Sequence, residues 1–224
     1  MDILFILLAT IGAYLLGSIP SAVWIGKAFF NTDVREHGSG NAGATNTFRV
    51  LGKKAGIPVF IIDLFKAFAA TYFLIRFFPH CPEGNTYINL QLLFGAAAVV
   101  GHIFPIFAQF KGGKGVACLL GVTLAIAPVP ALIAFAIFAV VLALFHYVSL
   151  GSLCAGVAFP VIILSGMIKP YQLSLQIFSV VIAVLLIITH RKNIGRLVGG
   201  RESKTYLKPP KSPSGGLSEA IEKN

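Results

Sequence analysis

The residues best suited to chemistry in this chain lie in a polar stretch at positions 37–46, HGSGNAGATN, which Arg49 follows three residues later. Its three glycines permit backbone conformations in which successive N–H groups converge on an anion. Hydroxyl and amide side chains add hydrogen-bond donors, and the guanidinium of Arg49 is a planar fork that suits phosphate. We therefore predict a phosphate-binding loop, and the alternative is a polar connection whose glycines only make turns. The predicted ligand contacts come from Gly38, Ser39, Gly40, Asn41, Thr45, Asn46 and Arg49.

A second polar stretch, FKGGKG at positions 110–115, offers the same kind of chemistry. Two lysines lie among three glycines just before an apolar segment, so cations and free N–H groups meet at a predicted helix N-terminus, where anions bind. The stretch lacks the G-x-x-x-x-G-K-[ST] pattern, which leaves nucleotide hydrolysis without support. The alternative is that both lysines only flank a membrane segment. The predicted ligand contacts come from Gly112, Gly113, Lys114 and Gly115.

Two shorter polar segments complete the set of candidate ligand-binding residues. Ser149 and Ser152 lie in a predicted turn, where their hydroxyls can donate to a phosphate or carbonyl oxygen, or can cap a helix. His190 and Asn193 are three residues apart and would share one face of a helix, with Glu202 further along the same segment. The basic residues around them are also typical of a segment that only contacts lipid headgroups.

The composition indicates that these polar segments belong to a membrane protein. Of the 224 residues, 56% are hydrophobic and 12% are charged, whereas charged residues supply about a quarter of an ordinary soluble domain. The net charge of +10 comes from a few loops and the tail, without a nucleic-acid-binding motif, so we expect no nucleic-acid partner. The three cysteines have neither metal-ligand nor disulfide spacing. We expect no metal ion and no cofactor.

Seven apolar segments predict an all-α integral membrane protein, a seven-helix transmembrane bundle. Fifteen of the 18 lysines and arginines lie in segments that would share one side, so the positive-inside rule puts the N-terminus outside and the C-terminus in the cytoplasm. Several segments are near or below the ~20 residues of a full crossing, so some helices should be short or partly inserted. Residues 1–202 would form one membrane domain, and residues 203–224 a disordered cytoplasmic tail. The predicted spans end near residues 25, 78, 107, 129, 145, 167 and 189.

Three features inside the apolar segments have structural or functional explanations. The sequence GSIP at positions 17–20 suits close helix packing or a kink, and Pro105 should break the third span. Asp63 and Lys66, three residues apart in the second span, are ionisable groups inside the membrane, which often mark function. We favour an ion pair that orients the cytoplasmic loops.

Together these segments resemble the PlsY family, the bacterial acyl-phosphate:glycerol-3-phosphate acyltransferases. The resemblance is carried by four ordered motifs, at positions 38–49, 101–115, 149–152 and 190–202, and by helix order over nearly the whole chain. The sequence departs from the family pattern at two positions. Cys118 stands where a threonine is expected, and Ala67 stands where a glycine is common.

The resemblance implies transfer of a fatty acyl group from acyl phosphate to the 1-hydroxyl of sn-glycerol 3-phosphate, which gives 1-acyl-glycerol 3-phosphate (lysophosphatidic acid) and inorganic phosphate. It also implies contact with membrane lipids, a functional link to the enzyme that makes acyl phosphate, and a multi-pass position in the bacterial inner membrane with the active site facing the cytoplasm. Ser39, Arg49, Lys114 and His190 are then the candidate catalytic residues. The candidate substrate-binding residues are Gly38, Gly40, Asn41, Thr45, Asn46, Gly112, Gly113, Gly115, Ser149, Ser152, Asn193 and Glu202.

The sequence also fits this chemistry on independent grounds. The H-x-x-x-x-D motif of other glycerolipid acyltransferases is absent. Acyl phosphate is already activated, so the protein only has to align two substrates and neutralise the departing phosphate. The base is then a substrate phosphate oxygen, with His190 as the other candidate. The alternatives are a transporter of an organic phosphate or lipid precursor, which would bind near the membrane midplane, and a scaffold that binds lipid headgroups.

Overall fold

The computed structural model describes residues 3–77 and 83–205, and within these ranges the chain is helical, without a β-strand. Short 3₁₀ turns lie at Val34–Glu36, Leu74–Phe77 and Ile106–Ala108. The predicted all-α fold is confirmed. The α-helices are α1 (Ile3–Gly17), α2 (Ser21–Phe30), α3 (Ala44–Leu51), α4 (Lys53–Phe73), α5 (Gly84–Ile103), α6 (Val116–Ile126), α7 (Pro128–Phe145), α8 (Val148–Ser165), α9 (Leu173–Thr189) and α10 (Arg191–Val198).

The number of full membrane crossings is lower than seven when it is judged by length and composition. In the described part of the chain, five segments are long and apolar enough to cross, and a sixth qualifies if α9 and α10, which are bent by 63°, count as one. The fourth predicted span is α6, with 11 residues, or about 17 Å of helix against a hydrocarbon core of ~30 Å. A short helix was expected, and the count of seven crossings stays a prediction.

The first and third spans pack at backbone distance, as the small residues of the first span predict. A Cβ atom added to Gly17 of α1 would overlap the carbonyl group of Ala98 in α5, and one added to Gly101 would overlap the carbonyl oxygen of Tyr14. Small residues at such crossings let two helix backbones approach closely. The first span is interrupted between Gly17 and Ser21, where α1 ends and α2 begins, and α5 ends two residues before Pro105. Both predicted breaks are therefore confirmed.

Two turns that the hydropathy pattern predicts, at residues 79–87 and 146–152, are shorter than expected. The helix α5 begins at Gly84, although its apolar pattern begins only near residue 89, because polar residues at a membrane surface do not interrupt a helix. Residues 78–82 lie outside the described residues. The helix α8 begins at Val148, so Ser149 and Ser152 lie on a helix, which corrects the predicted turn. Gly151 serves close packing here, since an added Cβ atom would lie 2.9 Å from the ring of Phe138.

The core lies between the central helices, while the outer faces remain apolar. Phe94, Val122 and Ile163 are among the large side chains that are fully buried in it. Large apolar side chains such as Leu7 and Val140 are more than half exposed in the isolated chain. Exposed apolar faces of this kind are expected of helices that contact lipid tails.

The polar segments meet at one end of this bundle. The segment that follows α10 contacts α3, where Arg49 donates to the carbonyl oxygen of Ser203, and the turn after α7, where the N–H of Thr205 donates to the carbonyl oxygen of His146. The predicted clustering of these segments is confirmed, and the side of the membrane that they face stays a prediction. The predicted tail begins in this segment, and its residues 206–224 lie outside the described residues.

Candidate active site

The first polar loop, residues 37–43, is held in shape by Asn46 of α3. Its Oδ1 accepts hydrogen bonds from the N–H group of Ser39 at 2.8 Å and from the Ser39 hydroxyl at 3.1 Å. Its Nδ2 donates to the carbonyl oxygens of Val34 and His37, at 2.7 and 3.0 Å. Asn46 was predicted to contact the ligand. Because it is buried and both of its polar atoms bind the loop itself, the contacts favour a positioning role.

The glycines of the first loop are needed for conformation, as predicted. Gly38 and Gly40 have φ angles of 61° and 70°, in the left-handed region that favours glycine. We also predicted that the neighbouring N–H groups converge on an anion. This prediction is wrong for two N–H groups, which have partners within the protein. The N–H of Ser39 binds Asn46, and the N–H of Gly40 donates to the carbonyl oxygen of His37 at 3.1 Å. The side chain of Ser39 stays at the surface.

The second polar loop, residues 109–115, lies directly against the first. Nδ2 of Asn41 donates to the carbonyl oxygen of Gly112 at 3.5 Å, and a Cβ atom at Gly43 would lie 3.9 Å from the Cα atom of Gly113. Gly115 caps the N-terminus of α6 with a φ angle of 85°, and helix N-termini present unpaired N–H groups. The predicted convergence of the two glycine-rich loops is confirmed.

Lys114 connects the second loop to the end of the chain. Its ammonium group donates to Oδ1 of Asn193 in α10, and Nδ2 of Asn193 donates to Glu202 at 2.8 Å. Burial lowers the pKa of Lys114 to about 8; the carboxylate of Glu202 opposes this shift, and the charges of Arg196 and Arg49 add to it. A positive charge held in such a place is stabilised by an arriving anion.

Glu202 holds several other candidate residues in place. Its carboxylate accepts hydrogen bonds from the hydroxyl of Ser149 at 3.1 Å, from Asn193, and from Nε of Arg196 at 2.8 Å. Burial would raise its pKa, but these hydrogen bonds lower the pKa of Glu202 below its ordinary value. Glu202 was predicted to bind substrate. A carboxylate repels phosphate, so these contacts instead favour a role in positioning Ser149, Asn193 and Arg49.

Arg49 reaches the same cluster from α3. One of its terminal nitrogens donates to the carbonyl oxygen of Ser203 at 3.2 Å and lies 3.6 Å from the carboxylate of Glu202. Its Nε is buried and has no hydrogen-bond partner within residues 3–77 and 83–205. Thr45 lies one turn earlier on α3 and is half-buried. Arg49 thus brings an unused donor to the edge of the site.

His190 lies at the junction of α9 and α10 and is 3% exposed. Its Nδ1 is 2.9 Å from the carbonyl oxygen of Leu186. Since only an N–H group can bond to a carbonyl oxygen, Nδ1 carries the proton of the neutral ring and Nε2 is left as an acceptor. Asn193 follows within one helical turn and is also buried, so the two residues lie at the same junction, as their spacing predicts.

An apolar slot begins beside this polar cluster, between α6, α7, α8 and α9. Val116 and Thr123 both line it, seven residues apart, so the slot runs for about 10 Å along α6. Ser152 also faces the slot, although its hydroxyl donates to the carbonyl oxygen of Val148 at 2.8 Å. Other residues that line the slot are Phe60, Phe135, Phe138, Phe159 and Leu186.

A buried charged cluster lies behind the second loop. Oδ1 of Asp63 lies 2.8 Å from the ammonium group of Lys66 and accepts a hydrogen bond from Ser21 at 2.7 Å. The predicted ion pair of Asp63 and Lys66 is confirmed. His102 and Cys118 bring further metal-ligand atoms, all within 4.8 Å of one another and of Asp63. The charge of Lys66 already compensates that of Asp63 and opposes a divalent cation.

Sequence reasoning missed three residues that build the site. Arg196 binds Glu202, and His102 contacts the second loop. Arg35, just before the first loop, is paired with Asp33 and donates at 3.1 Å to the carbonyl oxygen of Ala108, just before the second loop. Each of the three lies in or next to a polar motif that the sequence singles out, but only the tertiary arrangement reveals its partner.

The fold and the site define a class of protein: a multi-pass helical membrane protein with a cationic site at the head of an apolar slot. The model of the family described as glycerol-3-phosphate acyltransferase matches residues 7–200. The chain therefore belongs to the glycerol-3-phosphate acyltransferase family, which confirms the predicted enzyme class.

Its relatives agree over nearly their full length. Glycerol-3-phosphate acyltransferase of Staphylococcus carnosus (strain TM300) is 45% identical over 203 residues, which cover 90% of this chain and 98% of the relative. The enzyme of the same name from Chlorobaculum tepidum is 43% identical over 215 residues, which cover 86% and 93%.

Two crystal structures of PlsY (YgiH), an integral membrane glycerol 3-phosphate acyltransferase, have the same fold. The glycerol 3-phosphate form is 37% identical with a TM-score of 0.80, and the match covers 90% of this chain and 96% of that one. The lysophosphatidic acid form is 36% identical with a TM-score of 0.76, covering 90% and 95%. The resemblance to the PlsY family is confirmed.

Proposed function

We propose that this acyltransferase uses a fatty acyl phosphate as its donor and the 1-hydroxyl of sn-glycerol 3-phosphate as its acceptor. One observation carries the proposal. Polar residues of the site lie two or three positions along the chain from residues that line the apolar slot. Lys114 precedes Val116 by two residues, and Ser149 precedes Ser152 by less than one helical turn. An acyl chain in the slot would thus present its phosphate to Lys114.

The similar crystal structures support the two ends of this reaction. One is a glycerol 3-phosphate form and the other is a lysophosphatidic acid form, which correspond to the proposed acceptor and product. The likeness, at 37% and 36% identity, covers 90% of this chain.

We assign the two phosphate groups to different sides of the site. Lys114, Ser152 and the backbone of residues 112–115 would hold the acyl phosphate, because they adjoin the slot. Arg49 and the first loop would hold phosphate oxygens or glycerol hydroxyls. His190 and Asn193 would orient glycerol 3-phosphate, and Ser149 would support them. The first-loop residues in this assignment are Ser39, Gly40, Asn41, Thr45 and Asn46, the last through the loop it holds.

The proposed transfer is direct and needs no acyl-enzyme. The 1-hydroxyl oxygen attacks the acyl carbonyl carbon, an ester bond forms, and the bond from that carbon to the phosphate oxygen breaks. The electron pair leaves with phosphate, whose charge the ammonium group of Lys114 stabilises. The hydroxyl proton passes to a phosphate oxygen of the substrate, with Nε2 of His190 as the second candidate acceptor. Alignment of two bound reactants can supply roughly 7–11 kcal/mol of the barrier.

We also propose that the site faces the cytoplasm of a bacterial inner membrane. Fifteen of the 18 lysines and arginines lie in segments assigned to that side, which supports a cytoplasmic C-terminus and an outside N-terminus. Seven crossings, with α6 as a short one, are consistent with termini on opposite sides. The donor would then be supplied, on the same side, by the enzyme that makes acyl phosphate.

The test is a phosphate-release assay on the purified protein with fatty acyl phosphate and glycerol 3-phosphate. We expect one inorganic phosphate for each lysophosphatidic acid formed, and no product when acyl-CoA replaces acyl phosphate. Product formation from acyl-CoA, without turnover of acyl phosphate, would overturn the proposed donor while leaving the acyltransferase class intact.

A further inference from the structure

We infer that His102 and Asp63 are positioning residues for the reaction: together they set the place of Gly113, and through it the place of Lys114. Neither residue is among the site residues that the sequence predicts. The inference rests on the proposed role of Lys114 at the acyl phosphate. It adds the residues that fix the position of that lysine.

The second loop lies in direct contact with His102. One contact is a backbone hydrogen bond, and the others are close approaches at Gly112 and Gly113. The N–H of Gly113 donates to the carbonyl oxygen of His102 at 3.1 Å. A Cβ atom added to Gly113 would overlap Nε2 of the His102 ring and lie 2.9 Å from its Cε1. One added to Gly112 would overlap the His102 carbonyl oxygen and lie 2.6 Å from that of Ile103.

Gly112 and Gly113 are therefore required for space. Among the described residues, neither is one of the glycines with a left-handed backbone, in contrast to Gly38 and Gly40 of the first loop. The loop can lie this close to α5 only where side chains are missing. Its position is consequently set by the position of the His102 ring.

The His102 ring is itself fixed from the opposite side. Its Nδ1 lies 3.4 Å from Oδ1 of Asp63, which also accepts from Ser21 at 2.7 Å and lies 2.8 Å from the ammonium group of Lys66. Lys66 in turn donates to the carbonyl oxygen of Ile19, in the break between α1 and α2. Both Asp63 and His102 are more than nine-tenths buried. At such buried positions, removing one member of this hydrogen-bonded network of charged residues leaves an uncompensated charge.

The cluster thus acts on the site through one residue. Lys114 follows Gly113 directly, and its ammonium group reaches Asn193 on α10. A shift of the ring would move the lysine away from the acyl phosphate, and a misplacement of about 1 Å can lower a rate roughly 100-fold. This role predicts a loss of turnover in folded protein.

The test is a double-mutant cycle on the full chain, with kcat and KM for both substrates as readouts and size-exclusion elution as the check of folding. Gly113→Ala should lower kcat/KM for acyl phosphate roughly 100-fold, because the added methyl group pushes on the ring. In the His102→Ala background the ring is gone, and the same change should lower kcat/KM by less than about threefold.

Gly112→Ala is the matched control. Its methyl group would meet main-chain carbonyl oxygens, which His102→Ala does not remove, so it should lower kcat/KM equally in both backgrounds. An equal effect of Gly113→Ala in both backgrounds would overturn the inference. If His102→Ala yields no folded protein, the same cycle with His102→Asn, whose shorter side chain also leaves room for the methyl group, decides the question.

Lys114→Ala separates this inference from the proposed function. Near-normal turnover of Lys114→Ala would refute the phosphate role of the second loop. A severe loss in Lys114→Ala, together with equal effects of Gly113→Ala in the two backgrounds, would overturn only the role of His102.

Discussion

The two glycine-rich loops look alike in sequence and are built in opposite ways. The first loop is near the surface and is held by one side chain of its own segment, Asn46, through four hydrogen bonds. The second is pressed against a buried cluster of charged residues from other helices, with His102 in direct contact. In the first loop Gly38 and Gly40 provide left-handed backbone, whereas in the second loop Gly112 and Gly113 leave room for His102 and, of its glycines, only Gly115 is left-handed. Two loops of similar composition therefore need glycine for different reasons, which are mainly backbone conformation in the first and close packing in the second.

The largest effect should come from Lys114, the lysine of the second loop that is partly buried and hydrogen-bonded to Asn193. We expect Lys114→Ala to lower kcat at least roughly 100- to 1,000-fold, the scale seen when a donor to a developing negative charge is removed. Lys111 of the same loop is exposed, so Lys111→Ala should change kcat by no more than about twofold. A steady-state assay of both variants compares the two lysines, and equal losses would contradict the assignment.

The first loop should lose its function when its conformation is disturbed. Asn46→Ala removes three hydrogen bonds to the loop and a fourth to Val34 just before it, so we expect kcat/KM for glycerol 3-phosphate to fall roughly 10- to 100-fold. The variant should also be cut faster by protease within residues 37–43, whereas Lys114→Ala should not be. Unchanged proteolysis with lost activity would instead make Asn46 a direct ligand of the substrate.

The charge of Lys114 gives the second loop a dependence on pH. Its pKa is lowered to about 8, so the ammonium form that binds phosphate is present below pH 8 and is lost as the pH rises through that value. We expect kcat/KM for acyl phosphate to fall about tenfold per pH unit above 8. In Lys114→Arg, which stays charged, this fall should disappear. A profile that is identical in both proteins would assign the titration to another group.

The smallest effect should be that of Ser152. Its hydroxyl donates to the carbonyl oxygen of Val148 within its own helix. A contact with the acyl phosphate would only replace that hydrogen bond, so Ser152→Ala should lower kcat/KM less than about threefold. Ser149→Ala, which removes the hydrogen bond that the Ser149 hydroxyl donates to the carboxylate of Glu202, should have the larger effect of the two. The reverse order, measured in the same assay, would show that Ser152 contributes more to the reaction than the contact of Ser149 with Glu202 does.

Sequence reasoning succeeds here where charge and hydropathy alone determine the answer. The positively charged loops are predicted to share one side of a membrane, and in the structure Asn41 of the first loop contacts Gly112 of the second. The break at Pro105 and the start of α9 follow from local preference in the same way. These features need no knowledge of which side chains meet.

What the sequence does not predict depends on tertiary partners. Asn46 and Glu202 have the side chains of ligand-binding residues, but their neighbours turn them inward to hold the loops. Gly151 and Ser149 are typical of a turn and lie on a helix, because the missing side chain serves packing against Phe138. The contact of His102 with Gly113 joins α5 and the second loop, and no spacing in the sequence indicates it.

The central claim is that the second loop, and not the first, holds the acyl phosphate at the head of the apolar slot. A crystal structure of the full chain with a non-reactive acyl phosphonate tests it most directly. We expect a phosphonate oxygen within about 3 Å of Nζ of Lys114 and the alkyl chain between α6 and α8. A phosphonate bound to Arg49 and the first loop, with its chain outside the slot, would contradict the account.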